Sequence, residues 1–420
     1  MPLELLEQGG DALLQIPQSV IALQILLDAR TISPARPTMS LPEPSAEARA
    51  HSAQVAAHIR AEIERAGGWI GFARYMELAL YAPGLGYYMA GSRKLGADGD
   101  FTTAPELAPL FGHAVARAAA EVLAAAGEEI LEIGAGSGAL AASLLEELER
   151  LGALPARYLI LELSPELRAR SRDTLAARVP HLMERVAWLN GLPPAFAGFV
   201  IGNEVLDAMP VHVVRARAGA VEEAGVALGG DGALEWAHRP ATGALAAAAR
   251  ALDLPDGYTT EIGLVARAFV ASLAQTLERG VALFVDYGFP RREYYHPQRR
   301  TGTLMCHYRH RAHADPFFLP GLQDITAHVD FTAVAEGARG AGASLLGYAT
   351  QAQFLINCGL TEFLSRVSPE DAKRYLPLAA AANKLTSPSE MGELFKAIAF
   401  GRGVADHLAA FKSGDRRHTL

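Results

Sequence analysis

The chain alternates short, continuous apolar runs with stretches whose apolar positions recur every three or four residues. This is the pattern of strands buried on both faces between amphipathic helices. Ile130, Leu131 and Ile133 make the first such run, and the residues from Ala139 to Leu151 read as the helix that follows it. Runs at 158–163, 185–189, 197–201, 281–285, 343–348 and 395–400 predict six further strands. Residues 261–277 and 324–340 predict helices, and 351–382 a helical insertion. Segments 211–215, 221–228 and 234–238 instead alternate apolar with polar positions, and Gly229-Gly230-Asp231-Gly232 separates the last two. They predict an antiparallel β-insertion at the margin of an open α/β sheet.

Upstream, Pro34, Pro37, Pro42 and Pro44 mark a linker, so residues 1–50 are expected to form a mobile arm, with Met39 a second candidate start of translation. A helix begins near Ser45, carries Val55, Ile59 and Ile63 on one face, and stops at Gly67-Gly68. Met76–Tyr81 reads as a helical turn, followed by a glycine turn that ends in Tyr87-Tyr88. Gly99-Asp100-Phe101-Thr102-Thr103-Ala104-Pro105-Glu106 is a second polar turn, leading into a helix to about Ala126. Thr103 and Glu106 have the spacing of a capping box. Residues 51–126 are expected to cover the mouth of a ligand site.

That site starts at Glu132-Ile133-Gly134-Ala135-Gly136-Ser137-Gly138. Glycines let the backbone approach a ligand, and the helix start behind them presents free N–H groups. Gly134-x-Gly136-x-x-Ala139 fits the dinucleotide fingerprint, which brings NAD into consideration. The same stretch also reads Glu132-x-Gly134-x-Gly136-x-Gly138. An acid inside the strand repels a pyrophosphate but suits the ammonium and sulfonium of S-adenosyl-L-methionine (SAM). A turn that only packs helix on strand would use the same glycines. Glu162 ends the second strand where an acid accepts from a ribose diol, although it also reads as a helix-start acid. The fourth strand runs into Asn203-Glu204-Val205-Leu206-Asp207, polar residues at the carboxyl end where open sheets hold ligands. Glu204 and Asp207 share a face if this segment turns helically; a capped helix start is the plainer reading.

Composition narrows the classes. The 420 residues carry a net charge of −8 with no Lys/Arg cluster, so nucleic-acid binding is not indicated and a cationic substrate is favoured. The two cysteines, Cys306 and Cys358, fit a reducing compartment. No apolar run reaches membrane-span length, and acidic residues precede the early hydrophobic segment, which argues against a signal peptide or presequence. Arginine far outnumbers lysine and alanine is abundant, so a bacterial, cytoplasmic protein is expected. Cys306, His307, His310 and His313 lie close together without a metal-binding spacing, and residues 291–315 are expected to be a mobile substrate loop, with no metal.

Taken together, Met76–Tyr81, Gly86–Tyr88, Gly99–Glu106, Glu132–Gly138, Asn203–Pro210, Asp286–Gly288, Gly302–Leu304 and Gln323–Phe331 resemble the MidA-like family of SAM-dependent methyltransferases. The resemblance covers roughly residues 71–401 and departs from the family pattern at Val205-Leu206 and near His310. It implies an α/β fold with a seven-strand, Rossmann-like methyltransferase sheet, a helical N-terminal cover and helical and β insertions. On this plan residues 127–290 form the SAM-binding core, 291–341 a substrate loop and helix, and 342–420 the closing strands. It also implies symmetric dimethylation of an arginine on a protein, a respiratory complex I subunit in the characterised cases, with a homodimer as candidate assembly. The expected cofactor contacts are Thr103, Pro105, Glu106, Glu132, Gly134, Ala135, Gly136, Gly138, Glu162, Leu163 and Asn190. Glu204 and Asp207 are expected to grip a guanidinium, with Asn203 beside the methyl group. A non-catalytic SAM-binding scaffold, an NAD-dependent oxidoreductase and a methyltransferase for a small amine are the competing readings.

Overall fold

A computed structural model describes residues 41–90 and 103–420. Residues 1–40 of the expected arm, and Gly99 to Thr102 of the polar turn, lie outside the described residues. The elements described below belong to the unit Glu43–Leu420.

The apolar runs form one sheet. Its strands in chain order are β1 (Glu129–Ile133), β2 (Arg157–Leu161), β3 (Val186–Leu189), β4 (Phe196–Asn203), β5 (Leu277–Phe289), β6 (Ser344–Thr350) and β7 (Phe395–Arg402). They lie in the order β3-β2-β1-β4-β5-β7-β6. All neighbours are parallel except at β7, which is antiparallel to both β5 and β6. A two-residue strand, Val329–Asp330, adds to the end of β5 as an eighth member. The chain walks outward from β1 to β3 and then returns to β4, so the strand order reverses between β1 and β4. Such a reversal opens a crevice at the strands' carboxyl ends. The glycine turn leaves β1 there, and Asn203 ends β4 there.

Both faces of the sheet are buried, which is why its strands read as continuous apolar runs. On one face the helices Leu110–Ala126 and Ala139–Arg150 pack over Ile130, Phe199, Ile201 and Leu283. On the other, Leu264–Thr276 and Phe331–Gly340 cover Leu131, Val200, Ala282 and Phe284. Gly202, the last residue before Asn203, lies under the Phe284 ring, and a Cβ there would sit 2.6 Å from its Cε1. Gly202→Ala is therefore expected to destabilise the chain by about 1–3 kcal/mol through overpacking. Urea denaturation checks this; an unchanged midpoint would mean that the ring yields freely.

The alternating segments build a separate five-stranded sheet: Ile70–Gly71, Ala220–Leu228, His212–Arg217 and Thr259–Ile262 in that order, with Leu234–Pro240 on Ala220–Leu228. The helices Ala46–Arg65 and Phe72–Tyr81 share a core with this sheet.

Several elements differ from the sequence expectation. The helix expected over 261–277 is the strand Thr259–Ile262 followed by the helix Leu264–Thr276. Its β-branched start pairs with His212–Arg217, and Gly263 separates the two elements. The helix expected from 324 begins only at Phe331, where the Asp330 side chain accepts from the Ala333 N–H at 3.1 Å. Asp324–Thr326 is instead a strand against Met305–Tyr308. That strand and Arg311–His313 form a hairpin inside the loop expected over 291–315. The helix expected to run unbroken to Ala126 is interrupted. Ala108 is extended (φ −169°, ψ 160°) because Pro109 follows it, leaving a short turn, Ala104–Leu107, ahead of Leu110–Ala126.

Candidate active site

Gly134, Gly136 and Gly138 all take positive φ (68°, 54° and 82°), a region that side chains disfavour. The Gly134 N–H donates to the Leu161 carbonyl at 2.9 Å and ties the turn, with Ala135 inside it, to the end of β2. Glu162 then folds back towards the turn. One carboxylate oxygen accepts from the Gly136 N–H at 3.1 Å and the other from the Ser164 N–H at 2.9 Å. Leu163 projects beside it and is 60% exposed, an apolar side chain left uncovered at the crevice. Asn190, exposed just past β3, holds the Arg168 guanidinium at 2.7 Å. Glu132 is buried below the turn and accepts from the Tyr158 hydroxyl at 2.7 Å. Burial pushes its carboxyl up to about 7, with Glu162 adding to the effect and Tyr158 opposing it. Any pull that Glu132 exerts on a bound ammonium thus acts through the turn.

The capping box expected of Thr103 and Glu106 does not form. Thr103 makes no side-chain cap bond, and the Ser137 hydroxyl of the glycine turn donates to the Glu106 carboxylate instead. The turn Ala104–Leu107, which contains Pro105, is thereby fastened to the glycine turn. On its other side the Ala104 N–H donates to Glu204. Residues 103–107 bridge the two sequence motifs.

Past β4, residues 204–209 form a turn rather than the helical start considered from the sequence. Glu204 sits in the left-handed region (φ 52°), and its N–H donates to the Val285 carbonyl at 2.9 Å. The Asn203 amide donates to the Glu204 carboxylate at 3.1 Å, while Asn203 Oδ1 is buried without a partner. Asp207, 6% exposed, accepts the Tyr287 hydroxyl on Oδ2 at 2.5 Å, and its Oδ1 is also buried and unpartnered. Beneath them Asp286, fully buried near the end of β5, accepts on one oxygen from the N–H groups of Val205, Leu206 and Asp207 at 3.1, 2.8 and 3.3 Å.

The site is acidic and desolvated. Burial, then the neighbouring Asp207, pushes Glu204 up to about 8. Burial raises Asp207 to about 6 against the Tyr287 hydrogen bond, and Asp286 lies well above its ordinary range for lack of water and for proximity to Asp207 and Glu204. From the cover, the Tyr81 hydroxyl donates to the Ala208 carbonyl and the Tyr88 hydroxyl to Asp324, each at 2.9 Å, with the two rings stacked 5.4 Å apart. Asp286, Tyr287, Tyr81, Tyr88 and Asp324 are site residues whose contacts the sequence reading did not predict. Among the described residues no group of three or more His, Cys, Asp or Glu is arranged to hold a metal; Cys306 and His313 are cross-strand neighbours in the hairpin. No helix among them is long and apolar enough to cross a membrane.

These residues fit SAM. The ribose diol would find an acceptor in Glu162, Glu132 would place negative charge beneath the cationic methionine portion, the positive-φ turn would let that portion approach, and Leu163 would offer adenine an apolar face. The comparisons agree. Residues 114–349 match the family described as "Putative S-adenosyl-L-methionine-dependent methyltransferase". A protein from Burkholderia thailandensis, crystallised with S-adenosyl-homocysteine, is 53% identical over 91% of this chain and all of its own, with a TM-score of 0.88. The Drosophila melanogaster protein arginine methyltransferase NDUFAF7 homolog, mitochondrial, is 31% identical over 89% of this chain and 90% of its own length. The Danio rerio protein arginine methyltransferase NDUFAF7, mitochondrial, is 29% identical over 79% and 83%. Fold, donor set and relatives lead to one conclusion: the chain belongs to this family of SAM-dependent methyltransferases, as an enzyme with SAM as its cofactor.

Proposed function

We propose that the methyl acceptor is an arginine side chain of a protein. The observation that carries this is the pair of acids beside the glycine turn, half-buried Glu204 and buried Asp207, with two buried acceptor atoms without partners, Asn203 Oδ1 and Asp207 Oδ1. A desolvated site rich in acceptors takes a planar cation with many N–H groups, and a guanidinium supplies five. The names of the relatives, protein arginine methyltransferases, point the same way.

When bound, SAM supplies an activated methyl on sulfur. The chain's own residues do the rest. Glu204 and Asp207 hold the guanidinium and draw its positive charge towards the nitrogens they bind, leaving the attacking nitrogen more nucleophilic. Asn203 borders that nitrogen. Tyr81 and Tyr88 close the entrance and keep water out. The methyl would pass to a guanidinium nitrogen as its bond to sulfur breaks, the electron pair staying on sulfur, and the proton that nitrogen gives up would go to Asp207, the acid with a vacant oxygen. Gly134, Ala135, Gly136 and Gly138 cradle the cofactor; Glu162 accepts from its ribose, and Leu163 and Asn190 border its adenine. Thr103, Pro105 and Glu106 close over the turn, and Glu132 supplies negative charge from below. The family resemblance extends the proposal to symmetric dimethylation and to a respiratory complex I subunit as acceptor.

The test is transfer of labelled methyl from SAM to arginine-containing proteins, followed by acid hydrolysis and separation of the methylated amino acids. Label in dimethylarginine is expected. Label only in lysine, in histidine or in a small amine would overturn the reading. Because Asp207 and Glu204 are raised to about 6 and about 8 in the free site, kcat/KM is expected to rise with pH across that range. A flat profile between those values would exclude either acid as the anionic ligand of the acceptor.

A further inference from the structure

We propose that Asp286 and Tyr287, consecutive residues near the end of β5, are positioning residues for the methyl acceptor. Asp286 fixes the backbone from which Glu204 and Asp207 project, and the Tyr287 hydroxyl orients Asp207 so that Oδ1 is the oxygen left for the acceptor. This rests on the reading of Asp207 as an acceptor ligand.

The geometry is specific. Residues 204–209 have no helical ladder of their own, and Glu204 stands in a conformation that a non-glycine residue adopts only when its surroundings impose it. What imposes it is β5. The Val285 carbonyl takes the Glu204 N–H, and one oxygen of Asp286 gathers the next three N–H groups. The other oxygen takes the Tyr287 N–H at 2.9 Å, so Asp286 cannot swing away without releasing its own strand. Three N–H groups that would otherwise be orphaned in a dry site are satisfied by one carboxylate.

Tyr287 acts through its side chain. Its ring is pinned edge-on by His328 at 5.3 Å and by Phe395 at 5.3 Å, and its oxygen has a hydrogen bond with the Thr326 side chain. His328 is held neutral, its pKa driven down to about 3 by burial and by Arg299 and Lys396. The aromatic wall therefore carries no charge that competes with Asp207. With its ring fixed, the hydroxyl meets Asp207 Oδ2 and leaves Oδ1 vacant. The groups that face Asp207 are Tyr287 and Asp286 from β5, Glu204 from its own turn, and Tyr81 and Tyr88 from the cover, with Asp324 behind the two tyrosines. Acids surround it, and Tyr287 is the side-chain donor that steadies its ionised form, alongside the backbone N–H groups of Ala208 and of Asp207 itself.

The experiment compares the full-length chain with Tyr287→Phe, which keeps the ring and removes only the hydroxyl. Aspartate carrying carbon-13 in its side-chain carboxyl is incorporated, the Asp207 resonance is identified by its loss in Asp207→Asn, and its pH midpoint is read by NMR. The midpoint is expected to move up by about one pH unit in Tyr287→Phe, the effect of losing one hydrogen bond to the charged form. The rising limb of the methyl-transfer pH profile is expected to move with it, and kcat to fall about tenfold with KM for SAM unchanged. Thr326→Val, which strips the bond behind Tyr287 without touching Asp207, is expected to shift the midpoint in the same direction by less, and it serves as the second variant should Tyr287→Phe fold poorly. A midpoint and limb that stay in place in both variants would overturn the proposal, because a merely structural tyrosine leaves them there. The carboxyl titration needs no acceptor. A shifted midpoint in a chain that methylates only small amines would sink the arginine reading and leave the orienting pair standing; arginine methylation with an unmoved midpoint would do the reverse.

Discussion

Replacing Glu204 by glutamine is expected to slow methyl transfer by about 100- to 1,000-fold, the usual scale for removing one preorganised electrostatic contact from a dry site. SAM affinity, read by calorimetry, is expected to stay within about twofold, since the carboxylate contacts the acceptor rather than the cofactor. Glutamine has the same shape and keeps an oxygen for the Asn203 amide and the Ala104 N–H. The charge and one acceptor oxygen are lost. Misfolding would not account for the result, because the pH linkage runs the other way. Glu204 titrates near 8 in the folded chain against its ordinary 4.5, chiefly through burial. As pH rises between those values the unfolded chain ionises first, so the wild type loses stability across that window. Glutamine escapes this loss, and the variant is expected to melt at the same or a higher temperature at pH 8. A fully active, normally folded Glu204→Gln would remove this acid from the mechanism, leaving Asp207 as the sole carboxylate on the acceptor.

Strands are legible in this chain where the sheet buries both of their faces. Tyr158-Leu-Ile-Leu161 and Val281-Ala-Leu-Phe-Val285 have no other stable use than an interior strand, and their order with the intervening helices implies a parallel sheet. Thr259–Ile262 and Asp324–Thr326 are not legible as strands because they are short and polar. Their strand character comes from pairing with His212–Arg217 and Met305–Tyr308, partners remote from them in sequence or joined through a loop. The same distinction governs the site. Glu204 and Asp207 stand directly after a strand, where chemistry is expected, and can be named from position. The role of Asp286 is invisible from position, because it grips backbone N–H groups some eighty residues earlier, and an N–H leaves no mark on the sequence. Thr103 and Glu106 show the opposite failure, since a valid local motif yields to Ser137, a partner that only the fold supplies.

Glu162→Ala is expected to weaken SAM binding by about 10- to 100-fold, the range for losing a hydrogen bond made by a charged group together with the order it imposes. Glu162 has two roles in one place. It is the acid at the end of β2 to which a ribose diol would donate, and its carboxylate holds the Gly136 N–H of the turn on one oxygen and the Ser164 N–H on the other. Its removal leaves a positive-φ turn without the side chain that anchors it from β2, although the Gly134 N–H still bonds to Leu161. Glutamine and aspartate separate the two roles. Glu162→Gln drops the charge and keeps one acceptor oxygen, enough for the Gly136 N–H or the Ser164 N–H but not both, so it is expected to recover only part of the affinity lost in the alanine variant. Glu162→Asp keeps the charge on a shorter arm that cannot span from Ser164 to Gly136, and is expected to bind SAM nearly as poorly as alanine. Calorimetric titration of the three variants with SAM reads this directly. Should aspartate bind like wild type and glutamine like alanine, charge rather than reach would be what the site needs. Glu162 would then act on the cofactor as Glu132 does, through the field beneath the turn, and the ribose contact would have to come from elsewhere in the crevice.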